Sequence, residues 1–147
     1  MIRRSLMAVL FLILALFCGC KQYSNDLQRS VVRANETSAI AMLHAIAVAE
    51  RTYSVTNSGE YGTLQQLADG GFLAASYAGV KPLKDYVITL NVTPKTSGAT
   101  EGSYTCNADP DTNREIVGRH LYIDSSSELI HVNDAQPASA SDKALDQ

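Results

Sequence analysis

Hydrophobic positions along the chain change their period three times. Leu6 to Phe17 is an unbroken apolar run behind Arg3 and Arg4. From about Asp26 to Val55 there is no Gly or Pro, and apolar residues recur at steps of three and four. Leu27, Val31 and Val32 start this stripe, and Ala39, Met42, Leu43, Ile46, Ala49 and Tyr53 continue it. That spacing predicts one long amphipathic helix. Between Ala39 and Ala49 the only polar residue is His44, so the segment is apolar nearly all round. Such a helix is covered on more than one face. One face is expected on a sheet and the other under loops or a second subunit, with Met42, Leu43 and Ile46 as the expected partner contacts.

Asn57-Ser58-Gly59 is expected to end the long helix. Thr63-Leu64-Gln65-Gln66 has the Thr-x-x-Gln form of a capping box and opens a short helix that Gly70-Gly71 stops. Leu64, Leu67, Phe72 and Leu73 anchor this excursion. After it the period becomes two. Tyr86, Ile88, Leu90 and Val92 alternate with their neighbours, as do Tyr104, Cys106 and Ala108. Shorter strands are expected at Arg119–Asp124 and Glu128–Val132, joined across three serines. The fold class is α+β, with the long N-terminal helix on a three- to four-stranded antiparallel meander. Residues 134–147 are small, polar and without period, and are expected to be a disordered tail.

The first apolar run is shorter than the ~20 residues that a bilayer core of about 30 Å requires. Two arginines, twelve apolar residues and Gly19 have the layout of a secretory signal peptide. Phe17-Cys18-Gly19-Cys20 resembles the lipobox of bacterial lipoproteins, with Phe17 where Leu is usual. The resemblance implies cleavage after Gly19, lipid attachment to the Cys20 thiol and acylation of the new amino terminus. Two or more acyl chains, at ~0.8 kcal/mol per buried CH₂, hold a protein stably at a membrane. A Cys-x-Cys metal half-site would need more Cys or His nearby, and the next cysteine is Cys106. A redox pair is more usually Cys-x-x-Cys within a folded domain. An uncleaved anchor is the remaining alternative. Lys21 is not the Asp that resembles an inner-membrane retention signal, so outer-membrane placement is expected where the cell has one.

The whole chain carries net charge −3. Losing Arg3 and Arg4 takes residues 20–147 to −5, ten basic against fifteen acidic residues. No basic cluster is present, which argues against nucleic acid as a partner. Cys106 would be the one thiol left, and its place on an apolar strand face marks it as a small core hydrophobe. The sequons at Asn35 and Asn91 are ordinary for this composition.

Residues 34–73 carry Thr52-Tyr53 near the end of an Ala-rich helix, then Gly59-Glu60-Tyr61, then Leu64-Gln65-Gln66-Leu67. Together with "YTCNADP" and "GRHLYID" at 104–110 and 118–124, this order resembles type IV pilins and type II secretion pseudopilins over roughly residues 34–133. The resemblance implies a pilin-like globular domain. Its organisation would be 1–19 signal peptide, 20–33 lipid-anchored tether and helix start, 34–133 pilin-like domain and 134–147 tail. The chain departs from a prepilin because Gly19 follows the apolar run instead of preceding it.

Asp109, Asp111, Asn113 and Glu115 stand at alternate positions and could converge oxygen ligands on calcium. An EF-hand reading fails at Pro110, Arg114 and His120, and a solvated acidic turn is the plainer account. His44 reads as a core or interface residue. His120 and His131 lie on neighbouring strands without an evident third partner for zinc or acid–base chemistry. No phosphate loop or nucleophile elbow is present. The expectation is a non-catalytic, lipid-anchored envelope protein without a cofactor. Its partners would be membrane lipid through Cys20, and envelope proteins or a second copy. Its role would be scaffold or accessory in type II secretion or type IV pilus assembly, or, alternatively, a stand-alone lipoprotein that binds a small ligand or cell-wall component.

Overall fold

The computed structural model describes residues 2–78, 85–112 and 118–145, with side chains from Asp26 onward. The chain falls into two units, residues 1–34 and 35–147. Helix α1 runs Ile2–Thr56. In the first unit its described part, from Asp26, is polar and exposed, with Leu27 and Val31 open to solvent. Among the described residues no helix is long and apolar enough to cross a membrane.

The second unit is α+β. After α1 come α2 (Leu64–Asp69), a 3-10 turn at Ala75–Tyr77, and strands β1 (Tyr86–Thr93), β2 (Ser103–Pro110), β3 (His120–Asp124), β4 (His131–Asn133) and β5 (Lys143–Ala144). The strands form one antiparallel sheet in chain order. The register puts Ile88 opposite Ala108, Leu90 opposite Cys106 and Val92 opposite Tyr104, so the apolar half of each strand shares one face. A slip by one residue would turn that whole set towards solvent. The face packs on Ala39, Met42, Leu43, Ile46 and Ala47 of α1, with Leu121, Ile123 and Ile130 completing the core. Leu43 and Ile46 are fully buried, each worth about 1.5–3 kcal/mol.

The helix ends where turn residues were expected. Ser58 and Gly59 take left-handed φ values of 57° and 85°, and the Gly59 N–H returns to the Ser54 carbonyl at 2.9 Å. A Cβ on Gly59 would sit 2.4 Å from the Thr100 carbonyl oxygen, so the position needs glycine twice over. The capping box forms as its sequence predicts. Thr63 Oγ1 accepts from Gln66 N at 3.3 Å, and Gln66 Oε1 accepts from Thr63 N at 2.9 Å.

Two expectations are corrected. The sheet has five strands, not three or four. The fifth lies in the segment expected to be a disordered tail. Residues 134–145 instead fold back on the sheet. Ala138 is buried beneath a bond from Asn107 Nδ2 to its carbonyl (2.9 Å), and Leu145 N donates to Ile130 O (2.7 Å). Asp142 accepts from Asn133 and Ser139 in the turn between. Polar side chains satisfy this segment's backbone and turns, so it needs no apolar period and its composition resembles disorder.

Candidate functional site

The expected partner-contact residues are core residues. Met42 is 4% exposed, and Leu43 and Ile46 not at all. The segment is apolar on both sides, so its pattern does not distinguish the side that meets the sheet from the outer one. Ala41, His44, Ala45, Val48, Thr52 and Val55 form the exposed side, so His44 is solvated and not in the core. Val48 and Val55 are 61% and 80% exposed. The small and β-branched residues among them are the open apolar surface that α1 presents within the second unit.

The acidic turn divides. Asp109, next to last in β2, is on the outer sheet face, with Oδ1 2.6 Å from His120 Nδ1. Asp111 is buried, and its N–H donates to Asp85 O at 2.8 Å. Asn113 and Glu115 lie outside the described residues, as does the side chain of Cys20. Among the described residues no three His, Cys, Asp or Glu gather closely enough to hold a metal ion. His120 and His131 are separately engaged. His131 Nδ1 lies 2.7 Å from the Asp142 carbonyl, and its ring meets Tyr122 edge-on. Cys106 is fully buried on the core face, where burial pushes its thiol up to about 12 and leaves it a packing residue. His120 is on the opposite face, consistent with strand alternation.

The group in the most unusual setting is Glu50, which no motif in the sequence marks. It continues the core stripe at Ile46 plus four, and its side chain is fully buried. Helical spacing alone would have placed it there. Oε2 accepts the Gly62 N–H at 2.8 Å, while among the described residues Oε1 has no partner, and neither does the buried hydroxyl of nearby Tyr104. Burial pushes the Glu50 carboxyl up to about 7, against the lowering effect of the Gly62 bond. The same burial raises the Tyr104 phenol, with the Glu50 charge adding to it.

Above this acid, Tyr53, Asn57, Glu60, Tyr61, Thr63 and Gln66 line, with Val92 and Pro94, a cleft of about 550 Å³. Its aromatic walls are held by edge-on contacts, Tyr61 with Tyr104 (5.1 Å between centroids) and Tyr53 with Phe72 (5.5 Å). Several of its polar groups are committed locally. Asn57 donates to Tyr53 O, Glu60 accepts from Lys95 N, and Gln66 serves the cap.

Two forked contacts tie α1 to the segments on either side of β3. Arg119 grips Glu36 through Nε (3.2 Å to both oxygens) and Nη2 (2.5 Å), and Arg51 pairs with Glu128. Asn35 donates to Asp85 beside the first of these. No family model, no curated protein and no solved structure matches this chain.

Proposed function

We propose that this chain is a non-catalytic, lipid-anchored envelope protein whose α+β unit is a pilin/pseudopilin-like domain acting through protein–protein contact. The element order carries the reading: a long helix, a capped helical excursion, then a sheet paired strictly in chain order. It is the order that the motifs of residues 34–133 imply. The lipobox-like Phe17-Cys18-Gly19-Cys20 supports an anchor at Cys20, and with it a scaffold or accessory role in type II secretion or type IV pilus assembly. The contact falls to the exposed side of α1, at Ala41, Ala45 and Val48, since the other side is used by the sheet. An exposed apolar patch of this kind marks a partner surface.

The test has two steps. Mass spectrometry of the detergent-extracted chain should find a lipid-modified Cys20 at the mature N-terminus, and an intact Met1 would replace the lipid anchor with an uncleaved one. A photo-crosslinker at position 48 should then capture envelope proteins or a second copy, and an equivalent probe at exposed Thr89 should not. The alternative reading, a stand-alone lipoprotein that binds a small ligand or cell-wall component, has the Tyr53–Tyr61 cleft in its favour. Under that reading, ligand would be lost on Tyr61→Ala and unaffected by Val48→Glu.

A further inference from the structure

We propose that Glu50 is a proton-operated latch. Its neutral form pins the Tyr61–Thr63 segment to α1, and loss of its proton frees that segment and reshapes the cleft it borders. The inference needs neither the anchor nor the pilin-like reading, because it rests on the packing around one side chain.

Gly62 is buried, and among the described residues its N–H is the only donor that Glu50 receives. The residues on either side of it, Tyr61 and Thr63, are cleft walls. A Cβ on Gly62 would lie 3.2 Å from the Tyr53 ring and 3.3 Å from Leu67, so backbone and helix are in close approach here. A neutral carboxyl costs less in this arrangement: the carbonyl-type oxygen accepts from Gly62, and the other oxygen carries the proton as one uncharged O–H without an acceptor among the described residues. A carboxylate costs more. It would place a full charge in the core with one N–H on one oxygen and nothing on the other, and such a charge is strongly disfavoured.

The surrounding groups do not relieve it. From β2 it is faced by Tyr104 and Cys106, and from the segment by Tyr61, whose phenol also feels Glu101. All three of these acids are raised by burial and stay neutral where Glu50 titrates. On α1 itself, Ser54 turns its hydroxyl to the Arg51 carbonyl, and Arg51 points out to Glu128. Water is therefore the solvent that an ionised Glu50 requires. The 60–63 segment, whose bonds to α1 are Gly62 to Glu50 and Tyr61 to Ser54, is the cover that lifts to admit it.

The direct experiment is amide exchange at Gly62 in the full-length chain, followed by NMR from pH 5 to 8.5 and corrected for intrinsic exchange chemistry. The folded acid keeps its proton up to about pH 7, and an opened one behaves as an ordinary carboxyl. Protection should then fall about tenfold per pH unit from about pH 5 to 7 and level off above. Glu50→Gln keeps a carbonyl for Gly62 and cannot ionise, so its protection should be flat. A flat profile in the native chain, or the same slope in the Gln variant, would overturn the latch. Should the variant fail to fold, the ¹³Cδ shift of Glu50 in the native chain decides. A midpoint near 7 is required, and one near the ordinary carboxyl value of 4.5 overturns the proposal.

Discussion

Two buried carboxylates, Glu50 under the sheet and Asp124 at the end of β3, sit in opposite chemical situations. Both are almost inaccessible, at 0% and 7% exposed. Among the described residues Glu50 receives one backbone N–H and leaves an oxygen without a partner. Asp124 Oδ1 takes both the N–H and the hydroxyl of Ser126 and of Ser127, and Oδ2 takes the Tyr122 hydroxyl. Burial raises Asp124 too, but the Ser126 and Ser127 bonds outweigh it and hold the carboxyl below its ordinary 3.8. Burial alone therefore does not decide whether a core acid is charged. The number of donors aimed at it does.

The largest effect expected from this contrast is at the well-served acid. Asp124→Ala strands several donors at once and should cost about 3 kcal/mol in urea denaturation at pH 7. A loss below about 1 kcal/mol would mean that water replaces those bonds readily.

The two acids also bend the stability profile in opposite senses. The folded pKa of Glu50 is raised, so its contribution is complete below about pH 4.5 and drains away until about pH 7. That loss is on the order of 3 kcal/mol by linkage. The folded pKa of Asp124 is depressed, so its contribution is present above pH 3.8 and is lost as pH falls through the lowered value. Between them these two groups put the optimum on the acid side of neutrality. Denaturation midpoints for native and Glu50→Gln chains from pH 4 to 8 check this. The variant should lose the downward slope and keep the acid limb.

A matched pair of tyrosines sharpens the comparison. Tyr122→Phe removes a hydrogen bond to Asp124 and should cost about 1 kcal/mol. Tyr104→Phe removes a buried hydroxyl that has no partner among the described residues and should be neutral or slightly stabilising, within about 0.5 kcal/mol. Equal losses at the two sites would show that Tyr104 is bonded after all. The smallest effect is expected at Val48, two residues from Glu50 but on the open side of α1. Val48→Glu should change stability by less than about 0.5 kcal/mol and leave the new carboxyl with an ordinary pKa, readable by NMR titration. The same side chain on the same helix would then behave in two ways, according to what covers it.

The elements differ in how far they could be read in advance. Turn chemistry and alternation are local properties. Asn57-Ser58-Gly59, the Thr63–Gln66 box and the 86–92 and 104–108 alternations all fall where their residues imply. The β3–β4 hairpin is shorter than its residues imply, with β4 confined to His131–Asn133 after Glu128 takes a left-handed φ of 52°. β5 has no local signal at all, since two residues, Lys143 and Ala144, pair only because β4 offers them an edge.

By itself, the sequence determined the class of fold, the cap and the turns, and which half of each long strand is apolar. These follow from short-range sterics, hydrogen bonding and periodicity within one segment. The tertiary structure alone decided which side of an all-round apolar helix meets the sheet. That choice moved Met42, Leu43 and Ile46 inside and left Val48 and Val55 outside. It also set Glu50 against a single donor and Asp124 among five. A residue's environment is a sum over neighbours distant in sequence, and no window along the chain contains them.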